Sequence, residues 1–485
     1  PECGSRHCER AYKVDQVRLE DFKYIYFLGI VGIGMSAIAR WFKAKGFPVW
    51  GYDKTRTALT EALEQEGIGV HYDDDVAQLP QEVLQHKGDT LVVLTPAIPA
   101  EHTEWAYLKE QGYSIKKRSE VLGIITASAY TVAVAGTHGK TTTSAIVTHL
   151  LHHAGVDCSA FLGGISSNLN SNLLIGKAAA EKEVVVVEAD EYDRSFLTLF
   201  PEIAIVTSAD PDHLDIYGDK EELIRTFQRF ISQVKPGGFL FLQKGTDPRL
   251  TDMLPEGVKV YTYSLNQGQA HVEQLQIEGR WFKFDAVSPF GNIGSLKLGV
   301  PGFHNVENML AAILVAQVLQ VPAERIRAGV ETFTGVKRRF EFVYEDQSVV
   351  YIDDYAHHPK EIDAFMSSLR ALYPNKRIKV LFQPHLFTRT RDFASEFGES
   401  LSKADELVLL DIYPAREKPI PGVTSAVILE QVTCPVKAIV PKEKILENLS
   451  KNRDFDVLAT VGAGDIDTLV KPIRNFLEKE RHGLE

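Results

Sequence analysis

A short glycine-rich segment between an apolar run and a helix-like stretch constrains the fold of this chain most. The apolar run covers 130–135 and the helix-like stretch covers 142–154. The segment and the first threonine of the stretch are Gly136, Thr137, His138, Gly139, Lys140, Thr141 and Thr142. Glycines let backbone N–H groups approach a polyphosphate, and a helix N-terminus adds positive potential. The pattern predicts a phosphate-binding loop in which Lys140 reaches the terminal phosphates and the Thr141 hydroxyl binds Mg²⁺.

Two features of this loop narrow the kinds of protein that could use it. The simpler explanation of the segment is a strand-turn-helix in which the glycines serve only the bend. A bend alone does not need a Lys-Thr pair at the start of the helix. The first glycine stands two residues later than in the common G-x-x-x-x-G-K-[ST] pattern, which would require glycine in place of Val134. The shortened loop argues against the common GTPases and motor proteins.

Composition and charge exclude several other classes of protein. The chain has 485 residues, of which 44% are hydrophobic, and this length predicts about two to four domains. A net charge of -12 argues against a nucleic-acid partner, and no apolar run approaches the ~18–20 residues of a membrane span. Four scattered cysteines are typical of a reducing compartment. We therefore expect a cytoplasmic protein without a membrane partner, either a monomer or a weak homodimer.

A second glycine-rich turn lies near the start of the chain. The pattern predicts a strand over 24–28, a turn over 29–37 and a helix over 38–45, and its glycines fit G-x-G-x-x-A. A further strand over 49–53 ends in an acid. In a Rossmann unit the helix N-terminus binds a pyrophosphate and the acid binds ribose, so NAD and a nucleotide-sugar diphosphate fit equally well. The candidate ligand-binding residues are Gly29, Gly32, Gly34, Met35, Ser36 and Asp53.

Polar residues follow two apolar runs in the middle of the chain. The run 184–187 leads into Glu188, and the run 203–206 is followed by a segment that contains His213. Ligands of parallel α/β sheets sit at the carboxyl ends of the strands, and hard cations prefer oxygen. The sequence therefore predicts a Mg²⁺ site, which Mn²⁺ could also occupy, held by Thr141, Glu188 and His213. Alternatively, His213 only packs within a helix-capping segment.

Short apolar runs in the last third of the chain again alternate with helical stretches, and polar clusters follow them. His357 follows the first run, and His385 and Arg389 follow the second. A planar arginine fork could clamp an amino-acid carboxylate, so Arg389 or Arg391 is a candidate for that role. Two paired surface arginines are the alternative.

The order of these motifs resembles the Mur ligase family along nearly the whole chain. The family's order is continued by His304-Asn305-Val306-Glu307-Asn308, Arg338-Arg339-Phe340-Glu341 and Asp353-Asp354-Tyr355-Ala356-His357-His358-Pro359. The expected fold is α/β with a tail over 1–20, a Rossmann-like domain over 21–129, a central P-loop ATPase-like domain over 130–334 and a Rossmann-like C-terminal domain over 335–485. Within the central domain, alternation over 272–298 predicts a small antiparallel excursion from the parallel sheet.

The resemblance implies ATP-dependent ligation of L-alanine to the lactyl carboxylate of UDP-N-acetylmuramate, in peptidoglycan precursor synthesis. The UDP part should bind the loop 29–36 and Asp53, with His385 and Arg389 holding other substrate groups. The resemblance further assigns adenine to Asn305 and Asn308, the terminal phosphate to Arg339 and the ATP ribose to Asp354. Asn305 could instead be a helix N-cap, and Arg338 is expected to form a surface ion pair rather than a catalytic contact.

Joining a carboxylate to an amine needs activation but no enzyme nucleophile. An acyl phosphate formed from ATP would be displaced by the amine, and the protein would position the groups and neutralise charge. The residues expected to act in the reaction are Lys140, Arg339, Arg389 and His357, the last as a proton carrier or an orienting group.

Three other functions compete with this one. A dehydrogenase would leave the phosphate-binding loop unused, and a nonenzymatic nucleotide switch would not need the third domain. A ligase that attaches a preformed murein tripeptide to the same sugar nucleotide would share nearly every motif before the third domain.

Overall fold

Two compact units make up the described part of the chain. The computed structural model describes residues 18–177, 183–191, 194–210, 219–415 and 417–482. Contacts group Pro1–Lys140, Gly155–Gly163 and Asn172–Tyr261, where described, into unit 1. Unit 2 contains Thr141–Ala154, Gly164–Ser171 and Thr262–Glu485, where described. The domain boundaries expected from the sequence stay a prediction.

Strands and helices alternate along most of the chain. The strands are β1 Tyr24–Leu28, β2 Val49–Tyr52, β3 Gly69–His71, β4 Thr90–Leu94, β5 Ser114–Lys117, β6 Tyr130–Ala135, β7 Cys158–Ser166, β8 Ser171–Leu174, β9 Val184–Glu188, β10 Ile203–Val206, β11 Phe239–Gln243, β12 Lys259–Tyr263, β13 His271–Glu278, β14 Trp281–Val287, β15 Ile293–Leu298, β16 Glu341–Glu345, β17 Val350–Asp354, β18 Ile378–Phe382, β19 Glu406–Leu409, β20 Val436–Ile439 and β21 Val457–Val461. The α-helices of the described residues are α1 Ile33–Ala44, α2 Ala58–Gln65, α3 Gln81–Gln85, α4 Thr103–Glu110, α5 Arg118–Ala127, α6 Lys140–His153, α7 Lys220–Ile231, α8 Phe303–Val318, α9 Ala323–Thr332, α10 Pro359–Leu372, α11 Phe387–Asp392, α12 Ala394–Leu401, α13 Ala426–Leu429, α14 Ile445–Lys451 and α15 Val470–His482.

The first sheet is parallel, with the strand order β3-β2-β1-β4-β5. Strand β1 pairs with β2 on one side and β4 on the other, so the order reverses there, and ligands of such sheets bind at this reversal. The predicted helix start at Ile38 is wrong, because α1 begins at Ile33 with Gly32 as its N-cap. Within the turn only Gly29 has a positive φ, of 80°. The second glycine and the alanine of the G-x-G-x-x-A pattern, Gly34 and Ala37, therefore lie within the helix.

A buried polar cluster lies on one side of this sheet. The Tyr26 hydroxyl donates to Glu104 Oε2 at 2.5 Å and lies 2.8 Å from His71 Nε2. Tyr26 and Glu104 are both fully buried. Burial raises the pKa of Glu104 from 4.5 to about 7, although the Tyr26 hydrogen bond opposes that rise. Burial lowers the pKa of His71.

Glu104 should make the stability of this unit fall as pH rises. Because its pKa is higher in the folded than in the unfolded state, its contribution is complete below about pH 4.5 and is lost as pH rises through about 7. The neutral Glu104→Gln variant should lack this loss, of the order of 3 kcal/mol. Thermal unfolding of the unmodified protein and of Glu104→Gln at pH 5 and pH 8 checks this. His71, whose pKa is lowered, changes stability with pH in the opposite direction, and because it is present in both proteins its contribution cancels in the comparison. Parallel stability profiles would contradict the assignment.

The second sheet has seven strands in the order β12-β11-β10-β6-β9-β7-β8. Its central strand β6 pairs in parallel with β10 on one side and with β9 on the other. The registers place Val206 beside Ala135 and Glu188 beside Val134. The segments that follow β9 and β10 therefore flank the loop that follows β6.

Unit 1 has a continuous apolar core. It contains the fully buried side chains of Trp41 and Phe42 from α1, and Phe227 and Phe230 from α7. The central strands of the two sheets, such as β1, β6 and β10, are near-continuous runs of apolar residues, as expected of parallel strands buried on both faces. The two glycine-rich loops follow β1 and β6, whose side chains contribute to this core.

Unit 2 combines an antiparallel sheet with a mostly parallel one. Strands β13, β14 and β15 form the antiparallel excursion predicted over 272–298. The other sheet has the order β16-β17-β21-β18-β19-β20; within its described strands, β16 runs antiparallel to β17 and the remaining neighbours pair in parallel. The predicted α/β class, with parallel sheets and a small antiparallel excursion, is confirmed. Across the described residues, no helix is both long and apolar enough to cross a membrane.

Candidate functional site

The predicted phosphate-binding loop follows β6 and requires glycine at its first position. Gly136 has φ 141°, and a Cβ added to it would lie 2.1 Å from Thr207 Oγ1 and 2.9 Å from the Ser208 nitrogen. Gly139, the second glycine, has φ 81°. Both residues therefore serve the loop backbone, as expected of a loop whose N–H groups approach a ligand.

Residues after β10 hold this loop in place. His138 N donates to Ser208 Oγ at 2.8 Å, and the Thr137 and Ser208 hydroxyls lie 3.0 Å apart. Asp210 N donates to Thr137 Oγ1 at 3.1 Å, and one Asp210 oxygen lies 4.0 Å from His138 Nε2. The Thr137 side chain thus fixes the loop to the neighbouring strand. A rigid loop lowers the cost of ordering it around a ligand.

Lys140 spans the loop from the first turn of α6. Its ammonium group donates to the Gly136 carbonyl at 2.8 Å and lies 2.7 Å from Glu191, which is fully buried. Burial lowers the pKa of Lys140, but Glu191, Glu188 and Asp190 outweigh this effect and hold the pKa above its usual value. Lys140 is therefore a permanent positive charge at the loop. Its contact with terminal phosphates stays a prediction.

Glu188 ends β9 beside the start of the loop. Its Oε2 accepts a hydrogen bond from Gly163 N at 2.8 Å, and a Cβ added to Gly163 would lie 2.3 Å from that oxygen. Glycine at 163 thus makes room for this carboxylate, whose oxygens suit Mg²⁺. The described residues contain no cluster of three His, Cys, Asp or Glu side chains able to hold a metal. His213, the third predicted ligand, lies outside the described residues.

Thr141 and Thr142 continue the first turn of α6 and belong to unit 2. Both are buried, at 8% and 7% exposed. A Cβ added to Gly164 would lie 2.9 Å from the Thr141 methyl group. The backbone of 164 therefore passes directly over Thr141, and the role of Thr141 as a metal ligand stays a prediction.

The first glycine-rich turn follows β1 and is braced from two sides. A Cβ added to Gly29 would lie 2.2 Å from the Thr95 methyl group. Asp53 Oδ2 accepts a hydrogen bond from Val31 N at 2.8 Å. The predicted ribose-binding acid thus also holds the turn, and a carboxylate has lone pairs for both tasks. Ser36 Oγ donates to the Gly32 carbonyl at 2.9 Å, which fixes the first turn of α1.

The start of α8 in unit 2 presents a buried amide. Asn305 is 2% exposed and donates to the Pro301 carbonyl at 2.6 Å, while its Oδ1 has no hydrogen-bond partner among the described residues. Asn305 is not the helix N-cap, because Gly302 takes that position. Asn308 is also buried, at 7% exposed. An unpaired amide oxygen suits an amino group such as that of adenine.

Arg338 and Arg339 have different surroundings. Arg338 Nε lies 3.1 Å from Asp353, so an ion pair forms, but the expectation of a surface pair is wrong because Asp353 is fully buried and the Arg338 side chain is 20% exposed. The Arg339 guanidinium lies 4.9 Å from the centre of the Tyr355 ring, and none of the described residues forms an ion pair or side-chain hydrogen bond with it. Arg339 therefore retains its donors for an anion.

Asp354 has both oxygens engaged with backbone. It accepts hydrogen bonds from Phe340 N at 2.7 Å and Ala356 N at 2.8 Å. Burial raises its pKa to about 6, although Arg339 opposes that rise. Asp354 thus organises the segment that carries Arg339, and its contact with a ribose stays a prediction.

Arg389 and Arg391 are separated by burial. Arg389 is 8% exposed in α11, whereas the Arg391 side chain is 52% exposed and forms an ion pair with Asp392 at 2.6 Å. Surface pairing therefore describes Arg391 only. Burial, assisted by Arg389, lowers the pKa of His385 to about 4, so this ring is neutral at pH 7.

His357 and His385 lie close together at the carboxyl ends of β17 and β18. Their ring centres are 5.8 Å apart, and the His385 ring stacks on Tyr413 at 5.7 Å. His357 Nδ1 lies 3.1 Å from the Tyr355 carbonyl and 3.4 Å from Glu361. The predicted amino-acid site residues of unit 2 thus occupy neighbouring positions.

Family comparison assigns nearly the whole described chain. The family models match as Mur ligase family, catalytic domain, at 24–130, Mur ligase middle domain at 134–316, and Mur ligase, glutamate ligase domain, at 338–464. The chain belongs to the Mur ligase family. The resemblance found in the motifs is thereby confirmed.

Curated Mur ligases resemble the chain over almost its full length. The UDP-N-acetylmuramate--L-alanine ligase of Phocaeicola vulgatus is 49% identical over 94% of this chain and 99% of its own. The enzyme of the same name from Cytophaga hutchinsonii is 46% identical over 95% and 97%. The crystal structure of UDP-N-acetylmuramate-alanine ligase from Thermotoga maritima matches with a TM-score of 0.73 at 27% identity, over 95% and 99%. A murein peptide ligase from Psychrobacter arcticus, with TM-score 0.61 and 22% identity, shares the fold.

Sequence motifs do not reveal the residues that support this Mur ligase site through tertiary contacts. Asp190 and Glu191 both follow β9, and no local pattern marks Glu191 as the partner of Lys140; the roles of Ser208 and Gly163 likewise have no local signal. The position of Gly163 beside Glu188 follows only from the pairing of β7 with β9, which places Phe161 beside Val187. Sequence spacing does not determine that register.

Proposed function

We propose that this Mur ligase uses ATP to join L-alanine to the lactyl carboxylate of UDP-N-acetylmuramate. The observation that carries the proposal is the identity of 45–49% to alanine ligases over nearly the full chain. The charged loop around Lys140 fits a polyphosphate, and the turn after β1 fits a nucleotide diphosphate. A reaction that consumes ATP and an activated sugar is expected in the cytoplasm, with no nucleic-acid or membrane partner.

The reaction follows from the chemistry of the groups joined. The lactyl carboxylate takes the γ-phosphoryl group of ATP, giving ADP and an acyl phosphate. The amine of L-alanine then attacks the acyl carbon, and phosphate leaves as the amide forms. Lys140 and Arg339 are assigned to the phosphoryl charge, and Asn305 and Asn308 to the adenine.

Mg²⁺, when bound, neutralises phosphate charge and orients the γ-phosphoryl group. Thr141, Glu188 and His213 are assigned as its protein ligands. In unit 2, Arg389 is assigned to the carboxylate of L-alanine, His385 to substrate binding, and His357 to the proton released by the amine.

Substrate-dependent phosphate release tests the function. ATP, Mg²⁺ and UDP-N-acetylmuramate are combined with L-alanine, glycine, L-serine or the murein tripeptide, and kcat/KM is compared. L-alanine should give the highest value, with an amide product confirmed by mass. A faster reaction with the tripeptide would show that the protein is the ligase that attaches the murein tripeptide. Phosphate release that does not depend on the sugar nucleotide would favour a nucleotide switch.

Glu188→Gln should raise the Mg²⁺ concentration needed for half-maximal turnover and lower kcat. The amide oxygen can still accept the hydrogen bond from Gly163 N, so the fold is preserved while the ligand loses its charge. A Mg²⁺ titration of turnover checks this, with Glu202→Gln, a carboxylate of unit 1 paired with Lys235, as the control. A titration identical to that of the unmodified protein would remove Glu188 from the metal site.

A further inference from the structure

An arginine packs directly against the first glycine-rich turn. Arg118 follows β5 and is the first residue of α5. A Cβ added to Gly34 would lie 2.5 Å from Arg118 Nη1, 3.0 Å from its Cζ and 3.1 Å from its Cδ. The φ of Gly34 is not positive, so backbone conformation does not require glycine there. The absence of a side chain at 34 instead makes room for the guanidinium.

The surroundings of Arg118 favour an anion. Among the described residues, none forms an ion pair or hydrogen bond with its side chain. Its guanidinium lies beside Gly34 in the first turn of α1, which contains no acid, so this cation and the positive potential of that helix N-terminus lie close together. An anion bound between the guanidinium and the start of α1 would be attracted by both.

The position in the sheet identifies the anion. Arg118 follows β5, and the turn after β1 lies at the point where the strand order reverses. This edge is where such sheets bind nucleotides. We propose that Arg118 binds the diphosphate of the nucleotide sugar through its planar fork, opposite the backbone N–H groups at the start of α1. This inference rests on the proposed function, and it adds a binding residue that the glycine motif does not contain.

Removal of the guanidinium should weaken diphosphate binding selectively. Arg118→Gln should raise the Kd of UDP and of UDP-N-acetylmuramate about tenfold or more, because hydrogen bonds to charged groups are the stronger ones. Uridine, which lacks phosphate, should bind Arg118→Gln and the unmodified protein equally. The KM for ATP should stay unchanged. Lys117→Gln, which removes an exposed neighbouring cation, is the matched control and should leave the Kd of UDP unchanged.

A second variant tests the glycine–arginine contact itself. Gly34→Ala should displace the guanidinium and weaken UDP binding. The double variant, Gly34→Ala with Arg118→Gln, should bind UDP no more weakly than the more affected single variant. Thermal unfolding of each variant shows that the fold is kept. Equal UDP affinity in Arg118→Gln and the unmodified protein would overturn the inference while leaving the proposed function intact. Failure of the unmodified protein to bind UDP or UDP-N-acetylmuramate would overturn both.

Discussion

Replacement of Lys140 by methionine is expected to lower ligase turnover about 100- to 1000-fold, the typical effect of removing one preorganised group that stabilises charge in a transition state. The ammonium group bridges the Gly136 carbonyl and the Glu191 carboxylate. Neighbouring carboxylates hold its pKa above the usual value, so it carries a full charge at pH 7. Phosphate release under saturating substrates measures the loss.

A structural effect of this substitution must be separated from the chemical one. Lys140→Met removes the cation that pairs with the fully buried Glu191, and removing one partner of a buried pair is strongly destabilising. The double variant Lys140→Met with Glu191→Gln restores a neutral pair. We expect it to recover thermal stability but not turnover, and to retain the affinity for UDP-N-acetylmuramate. Recovered turnover would show that Lys140 acts only on the fold.

The sequence predicts local features of this protein well because they depend on neighbouring residues. The loop around Lys140 and the strands β1 and β6 lie where the apolar runs and glycines place them. The antiparallel excursion is also found, because alternating polarity is a direct property of a strand with one buried face. Local patterns are therefore enough for the α/β class.

Features that depend on distant residues could not be predicted in this way. The start of α1 shifted from Ile38 to Ile33 because Gly32 caps the helix, and Gly34 faces Arg118 rather than forming part of the turn. Strand β20 has four exposed residues and no apolar run, so only its pairing with β19 identifies it. Glu191 and Gly163 likewise acquire their roles only from strand register. The missing information in each case is tertiary.

A buried ion pair in unit 1 connects the end of α1 with the start of the strand that ends in Glu188. Lys45 Nζ lies 3.0 Å from Glu183 Oε1, and the two side chains are 8% and 0% exposed. Lys45 also donates to the Gly176 carbonyl at 2.9 Å, and Ser159 Oγ donates to Glu183 and accepts from Trp41 Nε1 at 3.2 Å. Glu183 directly precedes β9, which ends at Glu188. The network thus fixes α1, whose first turn is the predicted diphosphate site, to the central sheet.

Lys45→Met is therefore expected to destabilise unit 1 by about 3–5 kcal/mol, because it leaves the Glu183 charge buried without its cation. Lys45→Met combined with Glu183→Gln should recover most of that loss, since a buried pair replaced by neutral groups is often nearly neutral in stability. Lys23→Met is the matched control, because Lys23 and Asp89 are also 3.0 Å apart but are 71% and 41% exposed. The control should unfold at nearly the same temperature as the unmodified protein. Equal melting temperatures for Lys45→Met and Lys23→Met would mean that burial does not strengthen the Lys45–Glu183 pair. The network would then contribute nothing to holding the predicted diphosphate loop, at the start of α1, against the central sheet.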